Sequence, residues 1–131
     1  MYKRQPPGYA RYAAGLLLVI GFAGYAVAGT RDYLEWNRVR WEALADLQRD
    51  HISPEQIDGG FEFNGWLFYD PKFHGPPHKS DWWVKDDEYL VSFGKVAGYE
   101  TYREYRYAHW MPPYEGSILV LKRKDEASAT E

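Results

Sequence analysis

The stretch Tyr12-Ala-Ala-Gly-Leu-Leu-Leu-Val-Ile-Gly-Phe-Ala-Gly-Tyr-Ala-Val-Ala-Gly29 decides how the rest of the chain must be read. It contains no charged residue, and as an α-helix it extends for about 27 Å, close to the roughly 30 Å hydrocarbon core of a bilayer. The pattern predicts a transmembrane helix over 12–30. Lys3, Arg4 and Arg11 lie in a basic head over 1–11, whereas Arg31 is followed at once by Asp32. By the positive-inside rule the N-terminus is then cytoplasmic, and the rest of the chain leaves the cytoplasmic (inner) membrane on its periplasmic or extracellular side. Tyr9, Tyr12 and Tyr25 fall near the ends of the run, at the depth that amphipathic rings favour. A cleaved signal peptide is the competing reading, since Ala26-Val27-Ala28 fits the small-x-small cleavage pattern. Against it, the apolar run passes without a break into a second helical pattern. Within the span, Ala14, Gly21, Gly24 and Ala28 are spaced to share one helical face, a stripe of small residues that lets other membrane helices approach closely.

Downstream, Arg31-Asp-Tyr-Leu-Glu-Trp-Asn-Arg-Val-Arg-Trp-Glu-Ala-Leu-Ala-Asp-Leu-Gln-Arg-Asp50 places Leu34, Trp41, Leu44 and Leu47, with Tyr33, Trp36 and Ala43, at helical spacing. This predicts an amphipathic helix continuing from the span, supported by the i,i+4 pairs Arg31/Glu35 and Arg38/Glu42. Ser53-Pro54-Glu55 breaks it. Gln56-Ile57-Asp58 before Gly59-Gly60 reads as a short strand entering a tight turn, and a short helix is expected over 63–69. Residues 73–87, with Gly75-Pro76-Pro77 and Trp82-Trp83, read as a long irregular loop. Strands are expected over 88–93 and over 99–110, the second with Tyr99, Tyr105 and Tyr107 on one face. Ile118-Leu-Val-Leu121, apolar on both faces, reads as a central strand. The expected fold is therefore α/β (α+β): the long helix, then a small mixed sheet of about four strands with one or two further helices. It divides into the head, the span, an extracytoplasmic domain over 31–123, and a polar tail over 124–131 expected to be disordered.

With 131 residues there is room for one domain and an appendage. The net charge of −3 divides into +3 over residues 1–30 and −6 beyond them, and an acidic body excludes nucleic acid as the main partner. Without cysteine there is no disulfide framework and no thiol nucleophile. Metal ligation would fall to His, Asp and Glu. His74 and His78 are four apart, but the prolines between them forbid the helix that would bring them to one face. Asp86-Asp87-Glu88 reads as a solvated edge rather than a cation site. No Walker loop, nucleophile elbow or dinucleotide fingerprint is present, so neither a cofactor nor a catalytic residue is assigned.

Asp32-Tyr-Leu-Glu-Trp-Asn-Arg-Val-Arg-Trp41, Ile57-Asp-Gly-Gly-Phe-Glu-Phe-Asn-Gly-Trp66, the Trp82-Trp83 loop and Trp110-Met-Pro-Pro-Tyr-Glu-Gly-Ser-Ile-Leu-Val-Leu121 together resemble the C-terminal portion of bacterial membrane glycosyltransferases of the dolichyl-phosphate-mannose protein mannosyltransferase group. The resemblance covers about residues 12–123. It implies a last membrane helix followed by an extracytoplasmic domain, beside a catalytic part that uses a polyprenyl-phosphate sugar and whose acidic residues lie in segments this chain does not contain. The expectation is a non-catalytic C-terminal or accessory region of such an enzyme, partnered by the membrane and by a polytopic glycosyltransferase. A single-pass envelope protein with a carbohydrate- or protein-binding domain is the alternative.

Residues 31–131 hold nineteen aromatics, including all six tryptophans, and aromatic faces beside carboxylates and amides suit both sugar rings and protein interfaces. The candidate contacts to carbohydrate, polyprenyl-linked sugar or a partner are Asp58, Glu62, Asn64, Trp66, Trp82 and Trp83. Adjacent tryptophans in an extended segment point to opposite sides, so one of Trp82 and Trp83 should be exposed or face the membrane surface. Asp58 and Glu62 could form a carboxylate pair for glycosyl chemistry, but hydrogen bonding within the turn is the favoured role. If the span is an anchor, the intact mass of membrane-extracted protein will equal that of the uncleaved chain. A mature N-terminus at Gly29 would establish a signal peptide instead.

Overall fold

The computed structural model describes residues 8–74 and 83–124. Trp82 and His78 lie outside the described residues, as do most of the head and all but Lys124 of the tail. Helix α1 runs unbroken over Tyr9–Arg49, followed by a 3-10 turn at Pro54–Gln56, strand β1 (Ile57–Asp58), helix α2 (Phe61–Phe68), and strands β2 (Tyr89–Ser92), β3 (Tyr99–Trp110) and β4 (Pro113–Arg123). The sheet order is β1-β2-β4-β3, with β1 and β2 parallel and the other neighbours antiparallel. This is the expected α+β arrangement. β4 lies between β2 and β3, the central position expected of Ile118-Leu-Val-Leu121.

At 41 residues α1 is roughly 60 Å long. Its first half is long and apolar enough to cross a membrane, and Leu16, Leu17, Leu18, Val19, Ile20 and Phe22 are all exposed. Its second half buries Val39, Ala43, Leu44 and Leu47. The helix ends in a Schellman arrangement. His51 takes φ +64°, the Ile52 N–H donates to the Leu47 carbonyl at 3.1 Å, and Ile52 packs against the core that contains Leu47.

The main core joins Ala43, Leu44 and Leu47 of α1 to Ile57, Phe63, Tyr89 and Val120, and a second cluster joins Val39 to Tyr107 and Ile118. Strand β3 descends alongside α1 in the opposite sense. Arg103 pairs with Asp50 at 2.7 Å, the Tyr105 hydroxyl donates to Asp46 at 2.8 Å, and the Trp110 N–H donates to Asp32 at 2.9 Å. The tip of the β3–β4 hairpin, Met111-Pro112, is thereby brought down to where the apolar half of α1 ends.

The structure shifts several expected boundaries. The helix expected over 63–69 starts earlier, at Phe61, because Gly60 at φ +84° turns the chain directly into it. Gln56 belongs to the 3-10 turn rather than to β1, and β2 is two residues shorter than the expected strand over 88–93. One expectation fails for a clear reason. Between Thr101 and Arg103 the register with β4 slips by one residue, so Tyr99 pairs with Arg123 while Tyr105 and Tyr107 pair with Ile118 and Gly116. Cross-strand partners share a face and successive residues alternate, so this bulge puts Tyr99 on the face opposite Tyr105 and Tyr107. The Tyr99 hydroxyl accordingly donates to the Asp87 carbonyl, while that of Tyr105 reaches α1.

Leu47 is fully buried where α1 meets the sheet. Leu47→Ala should lower the unfolding free energy of the detergent-solubilised chain by about 2–5 kcal/mol, read by near-UV circular dichroism in urea. A loss no larger than that of an exposed Leu17→Ala control would show that this contact does not hold the core.

Candidate functional site

The segment Asp58-Gly-Gly-Phe-Glu-Phe-Asn-Gly-Trp66 forms a knot between β1 and α2. One Asp58 carboxylate oxygen accepts the Asn64 side-chain N–H at 2.8 Å and the Gly60 N–H at 3.0 Å, and the Gly59 N–H donates to Asn64 Oδ1 at 3.2 Å. Both side chains are buried, Asn64 completely. Buried polar groups are stable only when paired in this way. A Cβ on Gly59 would lie 2.6 Å from the Phe63 ring and 2.8 Å from Leu44 Cδ2, so the residue must be glycine for the core to close. From α1, the buried Arg40 donates through Nη2 and Nε to the Gly59 carbonyl at 2.6 and 3.2 Å, and through Nη1 to Glu62 at 2.5 Å. Asp58 and Asn64 are thus bonded to each other within the turn, while Glu62 is bonded to Arg40 of α1.

Beside this knot a cleft of about 350 Å³ opens between α1, the Gly59-Gly60 turn and the end of β2, lined by Trp36, Arg40, Gly60, Glu62, Ser92 and Phe93. Among the described residues its charged walls are the Arg40–Glu62 pair, in which the Glu62 side chain is half exposed. On the other side of α2, Trp66 is 88 % exposed at the edge of a depression of about 230 Å³ shared with Trp41, Phe63 and Leu67. A tryptophan face so open to solvent suits a sugar ring or an apolar partner residue. Trp83 is half-buried against α2: its ring lies over Gly65 between Phe61 and Tyr69, and its Nε1 donates to the Asp70 carbonyl at 2.8 Å. Asp86 and Asp87 accept from Arg123 at 2.5 and 2.6 Å, a paired edge. Among the described residues no three His, Asp or Glu side chains converge as a metal-ligand set.

Of the small-residue stripe, Ala14, Gly21 and Gly24 are exposed, with open space around a Cβ at either glycine. Ala28 is buried. One helical turn before Asp32, it lies on the face of α1 that receives the hairpin tip.

Two residues that the sequence reading passed over organise the domain. Arg40 is one. The other is Asp32, only 5 % exposed, whose carboxylate accepts the N–H groups of Trp110 and Met111 at 2.9 and 3.0 Å and an Arg31 N–H at 3.2 Å. His109 approaches it at 3.6 Å through Nδ1 and stacks on Tyr114 at 4.0 Å, while its Nε2 is buried without a partner among the described residues. The sequence does carry a signal for both. Asp32 and Arg40 occupy positions of the buried stripe, in helical register with Val39 and Ala43 and with Leu44 and Leu47, where a charge needs a partner.

Burial alone would raise the Asp32 pKa, but the two backbone N–H bonds, the Arg31 hydrogen bond and the nearby His109 outweigh it and lower the value from 3.8 to about 2. A depressed carboxyl stabilises the fold fully above its unfolded pKa and loses that contribution as pH falls toward its folded value. The stability gap between wild type and Asp32→Asn should therefore be constant above about pH 4 and shrink as pH falls toward 2, as measured by urea unfolding across that range. A gap independent of pH would show that the carboxylate charge does not fasten the hairpin.

Compared with protein-family models, with curated proteins and with solved structures, the chain matches none.

Proposed function

We propose that the chain is a non-catalytic, membrane-anchored accessory domain that works beside a polytopic, polyprenyl-phosphate-sugar-dependent glycosyltransferase on the non-cytoplasmic side of the membrane. The observation that carries this reading is the unbroken α1, which passes from an apolar, exposed half into the core of the domain with no linker. Such a rod fixes the height and orientation of everything packed on it, and Asp32 fastens the far hairpin to the same rod. A domain that captured ligands independently would gain nothing from a stiff joint, whereas one that must meet a membrane-embedded neighbour in one geometry would. The resemblance of the Asp32, Ile57 and Trp110 segments to the terminal region of such transferases supplies the class of neighbour.

The non-catalytic part of the proposal rests on the Gly59-Gly60 turn. Asp58 and Asn64 are buried against each other and Glu62 is engaged by Arg40, so among the described residues no carboxylate pair is held open across the cleft in the manner glycoside chemistry needs. A second reading, a single-pass envelope protein that binds carbohydrate or protein, draws on the exposed Trp66 beside its depression.

Extraction in mild detergent tests the choice. The wild-type chain should co-purify with an activity that transfers sugar from a polyprenyl-phosphate donor, and the chain purified to homogeneity should transfer none. Gly21→Leu/Gly24→Leu should reduce the co-purifying activity several-fold at equal membrane insertion, because leucines fill the close-approach face while making the span more apolar. Equal recovery from the variant, or no transferase activity with either protein, would favour the stand-alone binding protein. Turnover by the pure chain that vanishes in Glu62→Gln would place catalysis in this domain.

A further inference from the structure

The hairpin tip Trp110-Met111-Pro112-Pro113-Tyr114 presents Trp110 57 %, Met111 48 % and Tyr114 49 % exposed, a cluster of large side chains at the end of the sheet. Its height is fixed by bonds. The Trp110 and Met111 N–H groups donate to Asp32, Arg31 Nη1 donates to the Ala108 carbonyl at 2.5 Å, and the Arg31 guanidinium lies 4.7 Å over the Trp110 ring. Asp32 is two residues past Thr30, about 3 Å further along the helix axis. The polar layer on each side of a bilayer is roughly 5–8 Å deep. A tip bound at residues 31–32 of a helix that leaves the hydrocarbon at residue 30 therefore lies inside that layer. Tyr33, half exposed on α1, stands at the same level.

We propose that this tip is a second membrane contact, in which Trp110, Met111 and Tyr114 enter the headgroup and upper acyl region of the bilayer next to the span. The inference rests on reading α1 as an anchor, and it adds what that reading lacks, a fixed tilt of the domain over the membrane. One helix lets a domain spin in the plane of the membrane and tilt over it. A hairpin tip seated in the same leaflet beside the helix prevents the tilt. The residue chemistry suits the place. Tryptophan and tyrosine concentrate at this depth because one end of each ring system is apolar and the other hydrogen-bonds, and methionine fills irregular apolar surroundings. The hairpin backbone exposes little to lipid, since Trp110 and Met111 direct their N–H groups to Asp32, and Pro112 and Pro113 have none.

The chain contains no cysteine, so one introduced thiol carries a unique nitroxide. Met111→Cys leaves the backbone bonds to Asp32 in place. Two further labelled variants frame it: Val19→Cys, exposed near the middle of the apolar half of α1, and Glu100→Cys near the opposite end of β3, roughly 30 Å away. Each full-length variant is reconstituted into phosphatidylcholine/phosphatidylglycerol vesicles, and label depth is read from the relative relaxation by oxygen and by a water-soluble nickel complex. Val19→Cys should report lipid, Glu100→Cys water, and Met111→Cys the interface, with nickel accessibility at least several-fold below that of Glu100→Cys. If Met111→Cys is as accessible as Glu100→Cys while Val19→Cys is in lipid, the span stands and the second contact is wrong. If Val19→Cys is itself in water, the anchor fails and this inference with it. Tyr114→Cys reads the same level by an independent side chain, so a folding defect in one variant does not decide the outcome.

Discussion

All the backbone hydrogen bonds of α1 between its ends are made within the helix, and that constraint lets one element serve two surroundings. In its apolar half the side chains up to Val27 are exposed, with no described residue covering them, and a helix is one of the few structures whose peptide groups need no outside partner. In its second half the same rod supplies Val39, Ala43, Leu44 and Leu47 to the core. The sheet is too narrow to enclose a core alone, with β1 only two residues long and β2 only four. Its main covering element is α1, and the domain is therefore inseparable from whatever holds the N-terminal half.

Three polar side chains set the position of the sheet on this rod. Asp50 and Asp46 meet Arg103 and Tyr105, and Asp32 closes the lower end on the hairpin. The contacts differ in weight. Arg103 and Asp50 are both more than a third exposed, and such pairs contribute little in water. Asp32 is buried and accepts two backbone N–H groups that would otherwise be left unpaired at the turn. Removing it leaves donors without acceptors, which is the costlier change.

The Gly59-Gly60 turn looks like a site in sequence because it concentrates acidic, amide and aromatic residues in one decapeptide. In space those groups satisfy one another. Phe63 enters the core, Asn64 closes on Asp58, Glu62 turns to Arg40, and Gly65 makes room for Trp83. What remains open to a ligand is the apolar and aromatic surface around the knot, the cleft beside Trp36 and Phe93 and the ledge at Trp66.

The long apolar helix, its amphipathic continuation, the short strand before Gly59-Gly60, the long strand ending at Trp110 and the central apolar strand were all legible in sequence, because each rests on local periodicity or on punctuation by glycine and proline. That Asp58, Glu62 and Asn64 crowd one short polar and aromatic segment was legible too, although nothing in the sequence fixed their separation. The partners that decide their chemistry were not. Arg40 comes from a helix some twenty positions earlier, and Trp110 and Met111 reach Asp32 from across the chain, so nothing in local pattern pairs them. The bulge at Tyr102 escaped for a related reason: alternation in one strand fixes its faces only while its register with the neighbouring strand is unbroken, and register is a property of two strands. Local sequence thus determined which segments form elements and which of their faces are apolar. Only the tertiary structure decided which buried charge meets which donor, because that depends on distances closed by packing α1 against the sheet.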